Sequence, residues 1–152
     1  VLNGAEEFNA ELLQRLDTRF EYYIISFAIF ANHLFLGVGI GAFPMAYKQQ
    51  MEFHQIYWQA TNNPHSEFLM MACQGGVIAL ALFCAFLVSG FIFNKGDTRD
   101  RHFQQAVFAL VVVACLFNSS ILDHGDGTLF MILIAMALSP WVKRKLDENK
   151  RC

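Results

Sequence analysis

The sequence predicts an all-α membrane protein: a polytopic helical bundle fragment of about three transmembrane helices plus an external amphipathic helical segment. Three observations carry this expectation. Of the 152 residues, 55% are hydrophobic and only 16% charged, whereas soluble domains carry about a quarter charged residues. The mean hydropathy is +0.36. Residues 68–93 contain no charge at all, and a run of that length crosses about 30 Å of hydrocarbon with some tilt. The formal net charge of −2 leaves no basic surface for nucleic acid. The chain opens on Val1 with no charged segment ahead of a short apolar stretch, so no signal peptide is expected, and it reads as the C-terminal part of a larger polytopic protein. Cys73, Cys84 and Cys115 sit in apolar runs and Cys152 ends the chain, which suits small buried hydrophobes better than a disulfide framework or a metal set.

In chain order, residues 1–17 are polar and acidic, with Phe8, Leu12, Leu13 and Leu16 at helical spacing, which predicts a short surface helix. Residues 18–36 predict a second helix. Arg19, Tyr22, Tyr23, Ser26 and His33 form its polar face, with Phe20, Ile24, Phe27, Ala28 and Ala31 opposite. Gly37-Val-Gly-Ile-Gly41 should stop it. Residues 42–64, with Phe43, Tyr47, His54, Tyr57 and Trp58, predict an ordered interfacial segment holding one helix. Pro64 places the next helix start at His65 or Ser66.

The uncharged run 68–93 is the first expected span, with Ala72, Gly75, Gly76 and Ala79 as a close-packing face. A charged turn (94–103) leads to a second span around Val107–Phe117. A polar turn (118–128) precedes a third, Leu129–Val142, which is short for a full crossing. Lys and Arg concentrate in the 94–103 turn and the 143–151 tail, so both are expected to be cytoplasmic, with 1–66 and 118–128 on the opposite side. Residues 24–43 are apolar enough to be a rival fourth span, against which the three glycines and the acidic N-terminal stretch argue.

Several residues could carry chemistry. His65, at the mouth of a span, is either a polar cap or a general base, the role for which an imidazole is best suited near neutral pH. Arg19 either snorkels or holds a phosphate through its planar fork. Arg15, one turn earlier, could share that role or pair with Glu11. The Gly37–Gly41 stretch lacks the strand and helix context of a nucleotide fingerprint, but such a turn lets backbone approach a ligand. Asp123, His124 and Asp126 cannot easily converge on one ion, so turn chemistry is preferred to metal binding. Glu67 and Gln74, just inside the first span, should face the bundle interior or a cavity.

These residues together resemble a known family. Asn63-Pro-His65-Ser66, followed after nine residues by Gly76, is similar to the signature of the bacterial O-antigen ligases. Arg19 with Tyr23 four residues on, then Gly37-Val-Gly-Ile-Gly41-Ala-Phe43, resembles the Arg…Trp…Gly-x-Gly-x-Gly-x-Phe stretch of the same ligase/polymerase superfamily. Asn118-Ser-Ser-Ile-Leu-Asp123 also fits its C-terminal part. Tyr23 stands where a Trp is usual, Gln74 where an acidic residue is often found, and Ala79 where Gly or Thr is common. The family has more helices and a second functional arginine upstream.

The resemblance implies a GT-C-type glycosyltransferase of the bacterial inner membrane, active on its periplasmic side. It would move a glycan from undecaprenyl diphosphate to a hydroxyl of the lipid A core, with inversion and without a metal or other cofactor. His65 and Arg19 would be catalytic, and Arg15, Tyr23, Asn63, Ser66, Gly39 and Gly41 would bind substrate. An O-antigen polymerase or a protein O-oligosaccharyltransferase is the alternative on the same scaffold. A transporter or channel lined by His65, Glu67 and Gln74 is the alternative of a different class, and it requires broken helices or repeats.

Overall fold

The computed structural model describes residues 19–53, 60–93, 97–119, 121 and 124–149. The described residues are helical, with no strand: α1 over residues 19–32, α2 Phe43–Phe53, α3 Glu67–Ile92, α4 Thr98–Phe117 and α5 His124–Asn149. The surface helix expected over residues 1–17 and the aromatic residues Tyr57 and Trp58 lie outside them.

Two helices, α3 and α4, are long and apolar enough to cross a membrane, and a shorter apolar stretch, Gly125–Pro140, lies in α5. They pack in chain order around Leu87, Val107, Phe108, Val111, Cys115, Ile134 and Ala137. Gly90 of α3 lies directly on the Phe108 ring, where any Cβ would collide with it. Beside that contact the buried Gln104 amide donates to the Gly90 carbonyl at 2.8 Å. A polar side chain is tolerable there because its partner is fixed and no water competes.

α1 and α2 form a helical hairpin against the first turns of α3. The Tyr22 and Tyr47 rings meet edge to face at 6.2 Å, and Ile25, Ile29, Phe43, Tyr47, Met51, Met70 and Cys73 form a second core. α1 descends alongside α3 in the same direction. Tyr23 reaches His65, the Cys73 thiol donates to the Ser26 carbonyl at 3.1 Å, and the Val77 amide donates to the Leu34 carbonyl at 2.8 Å. α2 then turns back. Residues 24–43 are therefore a helix, a turn and the start of another helix, not one continuous rod.

The structure corrects three expectations. First, the 68–93 run is not one regular helix. Gly76 sits at φ 65°, ψ −161° and breaks it. The glycine-rich loop fills the break: Val38 and Gly39 donate to the Cys73 and Gln74 carbonyls at 2.8 and 3.0 Å, in place of the missing intrahelical donors. Second, helix α3 begins at Glu67 with Ser66 as its N-cap, and His65 is outside it at φ 55°. The Asn63 carboxamide accepts the His65 amide at 2.7 Å, a local turn that competes with helix initiation at Pro64. Third, the polar turn after α4 is shorter than 118–128, because Gly125–Gly127 already belong to α5. The two faces expected of α1 are present, and the fold orients them. Ser26 is buried, while Phe20, Ile24 and Phe27 are exposed. Tyr22, Tyr23 and Ser26 of the polar face turn toward protein, while Arg19 and His33 of the same face stay exposed.

Candidate functional site

His65 is held from three directions. Its amide is bound by Asn63, as above, in a loop where Thr61 also bridges to Asn63, donating its hydroxyl to the Asn63 carbonyl at 2.8 Å. Its ring stacks on Tyr22 with centroids 5.7 Å apart and planes at 30°. Its carbonyl accepts the Tyr23 hydroxyl at 3.5 Å. A non-glycine residue at φ 55° is uncommon and carries a local cost of about 1–2 kcal/mol, so this geometry persists because its surroundings impose it.

The α4–α5 turn closes the site from the other side. The Ser119 hydroxyl donates to the Asn63 side-chain oxygen at 2.7 Å. The Ile121 amide donates to the Glu67 carboxylate at 3.1 Å. Glu67 is fully buried at the first residue of α3, where the amide end of a helix favours negative charge. One carboxamide oxygen thus serves both the His65 backbone and the last helical pair.

Arg19 is exposed and lies three and four residues before Tyr22 and Tyr23. That spacing puts it on the α1 face that touches His65. Arg15 lies outside the described residues. Gly39 and Gly41 are exposed with positive φ and open space where a side chain would be. The Gly41 amide faces the Gln74 side-chain oxygen at 3.5 Å. Ser66 is buried, and its carbonyl accepts the Met70 amide. Of the expected site residues, Tyr23 and Asn63 therefore meet His65 directly, and Ser66 follows it in the chain at the start of α3. Gly39 and Gly41 sit beside Gln74, at the break. Among the described residues no group of three His, Cys, Asp or Glu side chains could hold a metal ion; Asp123 is not among them.

Tyr22 and Ser119 were not among the expected site residues. Tyr22 shares a helical face with Arg19, which was a usable signal. Ser119 is 56 residues from Asn63, and only the fold shows that they meet. Behind Tyr22, Tyr47 is fully buried. Burial, with Tyr22 and Glu21 adding to it, raises its phenol well above the usual range and keeps it neutral.

The fold thus defines an all-helical membrane protein with a polar site at one mouth of its spanning helices. Residues 2–84 match the family described as O-antigen ligase, and the chain belongs to that family. The matched stretch holds α1, the glycine loop, α2, His65 and the break in α3, and it ends inside α3. The likeness at Asn118–Asp123 falls beyond it. No curated protein and no solved structure matches the chain. The family's GT-C membrane fold agrees with the helices seen here, and the chain is a bacterial membrane protein of the O-antigen ligase/polymerase superfamily.

Proposed function

We propose that the chain carries part of the active site of an O-antigen ligase. This enzyme would transfer a glycan from undecaprenyl diphosphate to a sugar hydroxyl of the lipid A core, on the periplasmic face of the inner membrane. The observation that carries the reading is His65, held at a left-handed φ and stacked on the helix whose preceding turn bears Arg19.

In this mechanism the acceptor hydroxyl oxygen forms a bond to the anomeric carbon of the donor, and the bond from that carbon to the diphosphate oxygen breaks. The hydroxyl proton passes to the His65 imidazole. The electron pair leaves with undecaprenyl diphosphate, whose charge is met by Arg19, with Arg15 as a second cation. Attack in one step inverts the anomeric carbon. Asn63, Tyr22 and Tyr23 orient the base, while Gly39, Gly41 and Ser66 would line the substrate. The cytoplasmic positions of the 94–103 turn and the 143–151 tail belong to the same proposal and follow from their Lys and Arg content.

The transport alternative required a broken helix, and α3 is broken. Its carbonyls at the break are occupied by Val38 and Gly39, however, not open to an ion, and the family is one of ligases.

The test is replacement of His65 and Arg19 by alanine in the full-length protein, with lipid-A-linked O-antigen scored on gels. His65→Ala should lower transfer by about 10²–10⁴-fold, the usual contribution of a general base, at normal protein level. Normal ligation by either variant would remove the role given to that residue. Accumulation of single repeat units on the carrier after gene loss, in place of long polymer, would assign the protein to the polymerases instead.

A further inference from the structure

The helical hairpin α1–α2 sits beside the outer half of α3 with its tip at the break, and the depth of that break can be read from the chain. From Val77 to Ile92 the second half of α3 has 16 residues, or about 24 Å at 1.5 Å per residue. The hydrocarbon layer is about 30 Å thick. With the α3 C-terminus at one boundary, the other boundary falls at or just beyond Gly76. Leu34 to Gly39, hydrogen-bonded to residues 73–77, therefore lie at the level where the acyl chains begin.

The composition of the hairpin fits that level. No Asp, Glu, Lys or Arg occurs between Glu21 and Lys48. The charges mark the two ends that emerge together, and the tip over residues 34–43 carries no polar side chain, with Asn32 and His33 exposed just before it. At the tip Ile40 is 97% exposed, Leu36 75% and Phe35 70%. This apolar surface continues up α1 through Phe27, Ile24 and Phe20, all exposed. Non-helical backbone is tolerated at membrane depth only when its polar groups are satisfied by protein. The pairing of Val38, Gly39 and Leu34 with the break in α3 supplies that condition.

We propose that residues 19–53 form a re-entrant hairpin, whose tip inserts Phe35, Leu36 and Ile40 among the lipid acyl chains of the outer boundary and returns to the same side. The occupant of this surface is lipid, and the inference stands whether or not His65 is the catalytic base.

Spin labels at Ile40→Cys, Leu36→Cys and Glu52→Cys test it. The full-length protein, with its other accessible cysteines replaced by serine, is reconstituted in phosphatidylethanolamine–phosphatidylglycerol vesicles. All three positions are exposed, so labelling does not disturb packing. Collision with dissolved oxygen should exceed collision with a water-soluble nickel chelate severalfold at 36 and 40, with the order reversed at 52. Equal nickel accessibility at 40 and 52 would overturn the proposal by placing the tip in water. Immobile labels at 36 and 40, reached by neither reagent, would overturn it by showing that other helices of the full-length protein cover the tip.

Discussion

The two cores of the chain are built by different means. The inner core, around Phe108 and Val111, joins regular helices through apolar side chains and one interhelical hydrogen bond from Gln104. The outer core, around Phe43 and Tyr47, is also built of buried side chains, but beside it the backbone leaves regular helical pairing. A loop is hydrogen-bonded into a broken helix, a histidine sits at φ 55°, and a carboxamide joins residues 56 positions apart. Regular helices satisfy their own polar groups and can face lipid on every side. Backbone freed from helical pairing must be sealed by neighbours, and such backbone is found in the half that carries the candidate site. The contrast shows that the site is bound to the fold by unusual main-chain geometry together with the side chains of Asn63, Ser119 and Tyr22.

That contrast can be broken at chosen points. The largest effect on folding should come from Gly76→Ala. Its Cβ would collide with the Phe35 carbonyl, and its φ of 65° disfavours any side chain. Overpacking and backbone strain together should cost about 2–4 kcal/mol, seen as a loss of membrane-inserted folded protein and of protection from protease. A Gly76→Ala protein of normal stability would mean that the outer core does not depend on the close approach of the loop.

Gln104→Ala should act on the inner core alone. It removes the bond to Gly90, which at helix–helix positions in a membrane is worth about 0.6–2 kcal/mol. The thermal midpoint in detergent should fall, while transfer per folded molecule stays unchanged. A change in turnover would show that the two cores are coupled more tightly than their separate contacts imply.

The smallest and most specific effect belongs to Ser119→Ala. It loses one hydrogen bond, worth about 1 kcal/mol, between the α4–α5 turn and Asn63. Turnover should drop about fivefold with little change in donor KM or protein level, and Ser119→Thr should restore it. An unchanged turnover would make the contact merely structural.

Much of this architecture was legible in the sequence, because the signals were local. The uncharged 68–93 run, the glycine-rich loop between α1 and α2, and the histidine after Pro64 all declare themselves within a few residues. The break at Gly76 was not legible. Glycine in an apolar run reads equally as a close-packing surface, and only the loop arriving from 40 residues upstream decides for a positive φ. The two faces of α1 were legible from its periodicity, but not which of them packs on protein. Ser26 is buried and Tyr22 stacks on His65, contacts that only the fold supplies. Ser119 and Glu67 take their meaning from a meeting of distant turns, and no periodicity encodes it.

The seal between the loop and the break also bears on biogenesis. Synthesis makes α1, the loop and α2 before any residue of α3 exists. The amides of Val38 and Gly39 and the carbonyl of Leu34 then have no partner, and an unpaired peptide group is costly to carry into hydrocarbon. The hairpin would therefore wait at the water boundary and dock only after α3 has been inserted with its gap in place. Docking closes all three bonds at once, so the amides of residues 38, 39 and 77 should exchange with solvent as one cooperative unit, opening separately from the helical pairs of the inner core.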